Sequence, residues 1–486
     1  MIVLFIILGI LLVLFLTCFI VSIRKESRFK KENGRVKTQE FKYSSDEKTE
    51  DRMVKNLQNA LKFKTIAEDC LQDKSEFEKF HLSLEKCFPL VYKNLKVQEI
   101  DGKNLCFEWT GTSPIQKPIL LMAHQDVVKA GDLSKWDFSP FDAIIDDKYL
   151  YGRGTIDIKS QVIAILESFE TLLRKGFKPK NTIFASFSED EEIFGKGGAS
   201  LAQYFKDRKI EFKLVLDEGG AVAEDFLKII NKPIAVVGVS EKTTVNLSLE
   251  VNQEGGHSST PKNPTSLGIL SHAISNLELN QEKWSIDSPM DDFLLRIGCN
   301  TKGFTSLAML NPWLFKKILF STMKNNSTTS ALFRNTHTVT MCKGSEASNI
   351  IPVVSKANVN VRLLPDNSIE DTISWMEKII NDERVKITIS QQGEKCPVSN
   401  YKCEEFKVVE QTIQDVFGDV LTLPYLLAGG TDSRHFYCVS DKVYRFSPYM
   451  VNKSELSRMH NYNERISLEN LKRLPSFYIR LIQYFD

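Results

Sequence analysis

The sequence predicts an α/β protein carrying an inserted α+β segment and preceded by a membrane-spanning helix. Three observations lead there. An uncharged apolar run occupies the N-terminus. From about Met53 onward, short apolar strand-like runs alternate with helical periodicity, the pattern of a sheet covered by helices. Between Val239 and Ile389 the rhythm changes: TTVNLSLEV and KANVNVRLL read as strands, while SLGILSHAISNLE and IEDTISWMEKIIND read as helices. These features divide the chain into an anchor or uncleaved signal (1–23), a polar linker (24–52), a first α/β part (53–238), the insertion (239–390) and a second α/β part (391–486).

The 486 residues allow roughly two to four domains. Hydrophobic residues at 42% and charged residues at 26% are globular values and exclude a disordered or collagen-like chain. A net charge of +1 offers no basic field for nucleic acid. The nine cysteines form no CxxC pair, so zinc-finger and thioredoxin readings fail; thiol and disulfide both stay open.

Ile2–Ile23 is 22 residues without a charge, enough for a helix to cross a hydrocarbon core of ~30 Å. A signal peptide is the competing reading, but the run exceeds the usual h-region and no A-x-A-like site follows. Arg24, Lys25, Arg28, Lys30 and Lys31 follow at once, which by the positive-inside rule puts the body in the cytosol. Sequons at Asn246, Asn325, Asn326 and Asn452 point the other way, to a luminal or extracellular body, which is the expectation adopted.

Four strand or loop ends carry metal-type ligands. PILLMAHQDVV reads as a buried strand ending in His124 and Asp126, which share a face; a carboxylate beside an imidazole is the usual support of a metal-bound histidine. YGRGTIDIKS places Asp157 where a tight glycine passage feeds a helix; taken in isolation, an ordinary N-cap is the better reading. TIFASF runs into Glu189, Asp190, Glu191 and Glu192, whose mutual repulsion a bound cation would relieve. LVLDEGG brings Asp217 and Glu218 to a glycine turn. His460, in RMHNYNERIS, is the best remaining histidine. Oxygen-rich ligands with a few histidines suit zinc, cobalt or manganese, and one bridging carboxylate would make a two-metal hydrolytic site.

The motifs LMAHQDVV, WDFSPFDAIIDDKYLYGRGTIDIKS, SEDEEIFGKGG, VLDEGG, GGHSSTP, SNIIP, GGTDSRHF and MHNYNERIS span about 120 to 470. In this order they resemble the aminoacylase/glutamate-carboxypeptidase-type di-zinc peptidase family, in its branch of carboxypeptidase S and N-fatty-acyl-amino-acid synthase/hydrolase. The resemblance implies a di-zinc catalytic domain with an inserted α+β lid that often dimerises. It implies His124 and Asp217 on one Zn2+, Glu192 and His460 on the other, and Asp157 bridging. Asp126 would orient His124, and Glu191 would be the general base. Glu189 and Asp190 would be supporting or solvated acids. His257 of GGHSSTP would polarise the substrate carbonyl, in some relatives across a dimer. Asn349, Arg362 and Arg434 would hold the substrate carbonyl or carboxylate, an arginine fork suiting a carboxylate.

The implied activity is hydrolysis of amide bonds in N-acyl amino acids or small peptides, with the reverse condensation possible. The competing readings are a catalytically inactive relative that keeps the fold as a binding surface, and a membrane-anchored structural protein whose acids are only a surface patch. The stretch MLNPWLFKKILF (Met309–Phe320) is read as core packing, or as a wall for a fatty acyl chain or a membrane contact.

Overall fold

The computed structural model describes residues 2–32, 41–113 and 115–486. Its largest element is an eight-stranded mixed sheet. The strands run in the order Lys96–Ile100, Asn104–Trp109, Ile183–Ser188, Ile119–His124, Leu214–Ala223, Val443–Val451, Ile234–Glu241 and Leu421–Leu427. Ile119–His124 pairs in parallel with Ile183–Ser188 on one side and with Leu214–Ala223 on the other. All six of its residues are buried, as a central strand covered on both faces requires. The three runs IFASFS, ILLMAH and LVLDEGG therefore lie side by side and deliver their acidic and histidine termini to one edge of the sheet, where open α/β sheets bind ligands.

One face of the sheet is covered by the helix Lys159–Arg174, almost wholly buried, flanked by Glu47–Leu61 and Leu468–Tyr484. Asp46 caps Glu47–Leu61 by accepting the Thr49 N–H, and Ser467 caps the C-terminal helix through Asn470 N–H. Buried Glu167 is neutralised by Arg52 at 2.6 Å.

Between Ile234–Glu241 and Leu421–Leu427 the chain builds a four-stranded antiparallel sheet in the order Thr336–Lys343, Val354–Leu363, Thr243–Asn252, Val385–Gln392. Val245, Leu247, Leu249 and Val251 alternate inward against the helices Ser266–Leu279 and Ile369–Ile380, so one face is core and the other is wetter.

Two boundaries differ from the sequence expectation. Residue 238 lies inside the strand Ile234–Glu241, which passes almost directly into Thr243–Asn252. The expected insertion 239–390 also divides between two cores. The helices Met290–Cys299, Gly303–Leu310 and Pro312–Met323 pack with Ile234, Val236, Leu423 and Leu426 of the large sheet, not with the small one. At the N-terminus, the helix Ile2–Glu32 continues nine residues past the apolar run and is long and apolar enough to cross a membrane. Of the expected linker 24–52, residues 24–32 are thus helical, 47–52 begin the next helix, and 33–40 lie outside the described residues. All nine cysteines are free.

Candidate metal centre

Asp157 follows a loop in which Arg153 and Gly154 are held by one buried carboxylate, while the Gly152 N–H donates to the backbone carbonyl of the same residue, Glu464, at 3.0 Å. Glu464 accepts the backbone N–H groups of Gly154 at 3.1 Å, Ile156 at 2.8 Å and Asp157 at 3.2 Å. It also pairs with the guanidinium of Arg153 at 2.6 Å. Gly154 sits at φ +89°, a conformation that favours glycine. The result is a rigid turn that aims the Asp157 side chain.

The two oxygens of Asp157 face two different histidines. Oδ1 lies 3.0 Å from His124 Nε2, and Oδ2 lies 2.8 Å from His460 Nε2. On the first side, Glu218 Oε1 lies 3.4 Å from His124 Nε2. On the second, Glu192 Oε2 lies 2.9 Å from His460 Nε2. Two ligand clusters result: His124, Asp157 and Glu192, and His124, Glu191 and Glu218, the ligand atoms of each lying within 4.8 Å of one another. His460 is held at φ +57° in the loop after Leu456, an unusual backbone state for a histidine and one that turns its ring to Asp157.

Asp126 ties the first cluster to the second. Its backbone oxygen lies 3.0 Å from His124 Nδ1 and its Oδ1 lies 3.3 Å from the same atom. Its two carboxylate oxygens also accept the N–H groups of Glu191 at 3.3 Å and Glu192 at 3.0 Å. A single side chain thus sets both the histidine and the turn Glu191–Ile193. The neighbouring acids serve that turn as well: Asp190 accepts from Lys196 and Gly197 N–H, and Glu189 pairs with Lys74 at 2.6 Å.

The electrostatics call for cations. Burial pushes the carboxyls of Glu191 and Glu218 well above their ordinary range, with neighbouring carboxylates adding to the shift. Burial likewise raises Glu192, Asp217 and Asp432, the last to about 7. Burial would lower His124, but Glu218, Asp126 and Asp157 outweigh it and hold the imidazole well above its usual value. Hydrogen bonds to Asp157 and Glu192 raise His460 to about 10. Glu192 Oε1 is buried without a hydrogen-bond partner among the described residues. Ligands about 2.0–2.2 Å from a tetrahedral ion stand about 3.3–3.6 Å apart, as His124 Nε2 and Glu218 Oε1 do at 3.4 Å; the contacts of 2.8–3.0 Å are hydrogen bonds that an ion would spread. The mixed imidazole–carboxylate donor set and the excess of buried acid fit divalent metal.

Asp217, the ligand expected from the sequence, is placed differently. It belongs to neither cluster among the described residues. Its Oδ2 accepts the Ser433 N–H at 3.0 Å, and it sits within the field of Arg445, which is buried with Glu241. Its neighbour Glu218 faces His124 instead.

The substrate candidates form two groups. Arg362 Nη1 donates to Thr244 Oγ1 at 2.6 Å and reaches Ala428 O at 3.5 Å. Arg434 Nη1 donates to Thr431 O at 2.8 Å and its guanidinium stacks over Phe194, just past the Glu191–Ile193 turn. Both arginines thus approach the loop Ala428–Thr431. His257 and Asn349 lie together elsewhere, exposed on a two-stranded pairing of Gly256–His257 with Ile350–Ile351. Their bonds are local: His257 Nδ1 to Ser259 Oγ at 2.8 Å, and Ser258 N–H to Asn349 O at 3.0 Å.

Sequence reasoning missed Glu464, Glu218, and the buried Glu241–Arg445 pair. Arg153 between two glycines was a usable signal, since a buried guanidinium demands a buried acid.

Histidines and carboxylates gathered at the strand ends of an open α/β sheet define a metal-dependent enzyme. The chain belongs to the peptidase family M20/M25/M40, whose model matches residues 120–484, and it is a metal-dependent hydrolase of that family. It is 37% identical over 441 residues to "Probable carboxypeptidase S-like 2" of Dictyostelium discoideum, covering 89% of this chain and 84% of that one. It is 34% identical over 418 residues to the human "N-fatty-acyl-amino acid synthase/hydrolase PM20D1", covering 85% and 82%. Among solved structures, its fold matches the M20 family metallo-carboxypeptidase Sso-CP2 from Sulfolobus solfataricus with a TM-score of 0.66 at 18% identity, covering 89% and 99%.

Proposed function

We propose that the protein is a two-zinc hydrolase of amide bonds in N-acyl amino acids or small peptides. The observation that carries this reading is Asp157, whose two oxygens are offered to separate histidines. Asp157 would bridge the ions, with His124 and Glu218 on one and Glu192 and His460 on the other. Cobalt or manganese suits the same donors. When bound, the ions supply Lewis acidity that acidifies a water and stabilises the developing oxyanion.

The chain's own residues supply the rest. Glu191 is buried at the centre beside His124 and Glu218, where a positioned carboxylate can act as general base. It takes the proton of the attacking water and returns it to the departing amine. Asp126 holds both His124 and the Glu191 turn in place. Arg434, with Arg362 across the Ala428–Thr431 loop, is assigned to the substrate carboxylate. Asn349 and His257 are assigned to the carbonyl. Their exposed position supports action across a homodimer built through the small sheet. The N-terminal helix is assigned as a single-pass anchor with the body luminal or extracellular, a placement the sequons support.

The test is a panel of N-fatty-acyl amino acids, short-chain N-acyl amino acids and dipeptides, assayed for release of the free amine before and after chelation, with metal content measured alongside. Turnover that is lost on chelation and restored by zinc is the expected result. A metal-loaded protein silent on every substrate, in hydrolysis and in the reverse condensation, would leave the binding-protein reading.

A further inference from the structure

The apolar N-terminal helix does not stand apart from the enzyme body. Cys18 and Ser22, one turn apart on Ile2–Glu32, are buried against the entry to the helix Pro312–Met323. Asn311 Nδ2 donates to Cys18 O at 3.2 Å and to Ser22 Oγ at 2.9 Å. Lys25 Nζ donates to Leu310 O at 2.7 Å, and Arg296 lies over the Phe29 ring at 5.8 Å.

These contacts fix a depth. The uncharged run Ile2–Ile23 is about 33 Å long as a helix, against a hydrocarbon core of ~30 Å, so its register in a bilayer can slide only a few ångströms. Cys18 lies about 7 Å before the end of that run, at 1.5 Å per residue. Ser22 lies about 1.5 Å before it, so Asn311, bonded to both, meets the helix in the outer few ångströms of the hydrocarbon. Whatever flanks Asn311 on the protein surface is at the same level.

What flanks it is apolar. Phe304, Trp313, Leu314 and Ile318 are 59%, 52%, 40% and 49% exposed. Trp313 bonds its indole N–H to Asn311 Oδ1 at 3.3 Å, so its ring can enter lipid without an unsatisfied donor. Lys316 and Lys317 on Pro312–Met323, Lys302 at the start of Gly303–Leu310 and Lys324 at the end of Pro312–Met323 are exposed, with side chains long enough to reach headgroup phosphates. Apolar side chains with a tryptophan, rimmed by lysines, are the composition of a membrane-interface helix.

We infer that Gly303–Leu310 and Pro312–Met323 form a second membrane contact, with Phe304, Trp313, Leu314 and Ile318 seated in the headgroup–acyl boundary of the bilayer that the N-terminal helix crosses. The inference rests on the reading of that helix as a membrane anchor. It gives the body a fixed orientation on the lipid surface. The inner side of the same helices packs on Leu421–Leu427, the strand that runs into the arginine-lined loop Ala428–Thr431.

The test uses the full chain reconstituted in phosphatidylcholine–phosphatidylserine vesicles. Trp313 emission is isolated as the difference between wild type and Trp313→Phe, with Trp375→Phe as the control for a tryptophan on the small sheet. The expected result is Trp313 emission quenched by lipids brominated along the acyl chain and shielded from aqueous acrylamide, with Trp375 indifferent to the brominated lipid. A chain that fails to float with the vesicles overturns the anchor and the surface together. A chain that floats while Trp313 is open to acrylamide and blind to brominated lipid overturns the surface alone. Shielding from acrylamide without brominated-lipid quenching means that protein, such as a second copy, covers the face, and also overturns it.

Discussion

The carboxylate of Glu464 accepts the backbone N–H of Asp157 at 3.2 Å, so a residue from the C-terminal part of the chain sets the aim of the proposed bridging ligand. The same carboxylate takes the Arg153 guanidinium and the N–H groups of Gly154 and Ile156. Removing it leaves a buried cation and three buried donors unmet. Glu464→Gln retains one acceptor and loses the charge. Breaking such a buried pair costs about 3–5 kcal/mol. Chemical denaturation of the variant is expected to show a loss of that order together with weaker metal retention under chelator challenge. An unchanged midpoint would mean that the Asp157 loop holds itself.

Glu191 and Glu192 are adjacent yet have different tasks in the proposed chemistry. Glu192 faces His460, whereas Glu191 lies with His124 and Glu218. Glu191→Gln keeps the shape and removes the base. It is expected to lower turnover by about 10²–10⁴-fold, the usual worth of a positioned general base, with metal content unchanged. Turnover within a fewfold of wild type would remove Glu191 from the role.

Without metal, His460 is held to about 10 by Asp157 and Glu192, so at neutral pH it carries a proton. A metal ion has to displace that proton. The sign follows: acid favours the protonated, ion-free site, and metal affinity rises with pH until the imidazole is already neutral near pH 10. One displaced proton gives about a tenfold gain in affinity per pH unit. Chelator-competition titrations across the neutral range should show at least that slope. A flat profile would mean that His460 is neutral before the ion arrives.

Part of the candidate site was legible because His124, Glu191–Glu192 and Asp217–Glu218 follow strongly apolar runs; Asp157 and His460 end none. ILLMAH, IFASFS and LVLDEGG had to be neighbouring buried strands, and their ends had to meet. His124 and Glu192 follow from that convergence together with the family resemblance, Asp157 and His460 from the resemblance. Other features depended on tertiary detail. The helices between Met290 and Met323 have the same periodicity whether they cover the small sheet or the large one, so composition could not assign their core. Arg153 and Glu464 are 311 residues apart, and nothing local announces their pairing.

Asp217 and Glu218 show the hardest case. Successive side chains on a strand point to opposite faces, so no more than one of the two acids of LVLDEGG can face the proposed ions. Which one it is depends on how the strand leaves its neighbour. Pairing with Ile119–His124 is last recorded at Leu121 with Leu216. Beyond it, Asp217 turns to Ser433 and the Arg445 side, and Glu218 to His124. Glu218→Gln is therefore expected to lose one of the two proposed ions in metal analysis, along with activity. Asp217→Asn keeps an acceptor for the Ser433 N–H and is expected to retain metal, with a modest loss of stability. The reverse pattern, metal lost in Asp217→Asn and kept in Glu218→Gln, would return the ligand role to Asp217 and require this strand to rotate by one residue when ions bind.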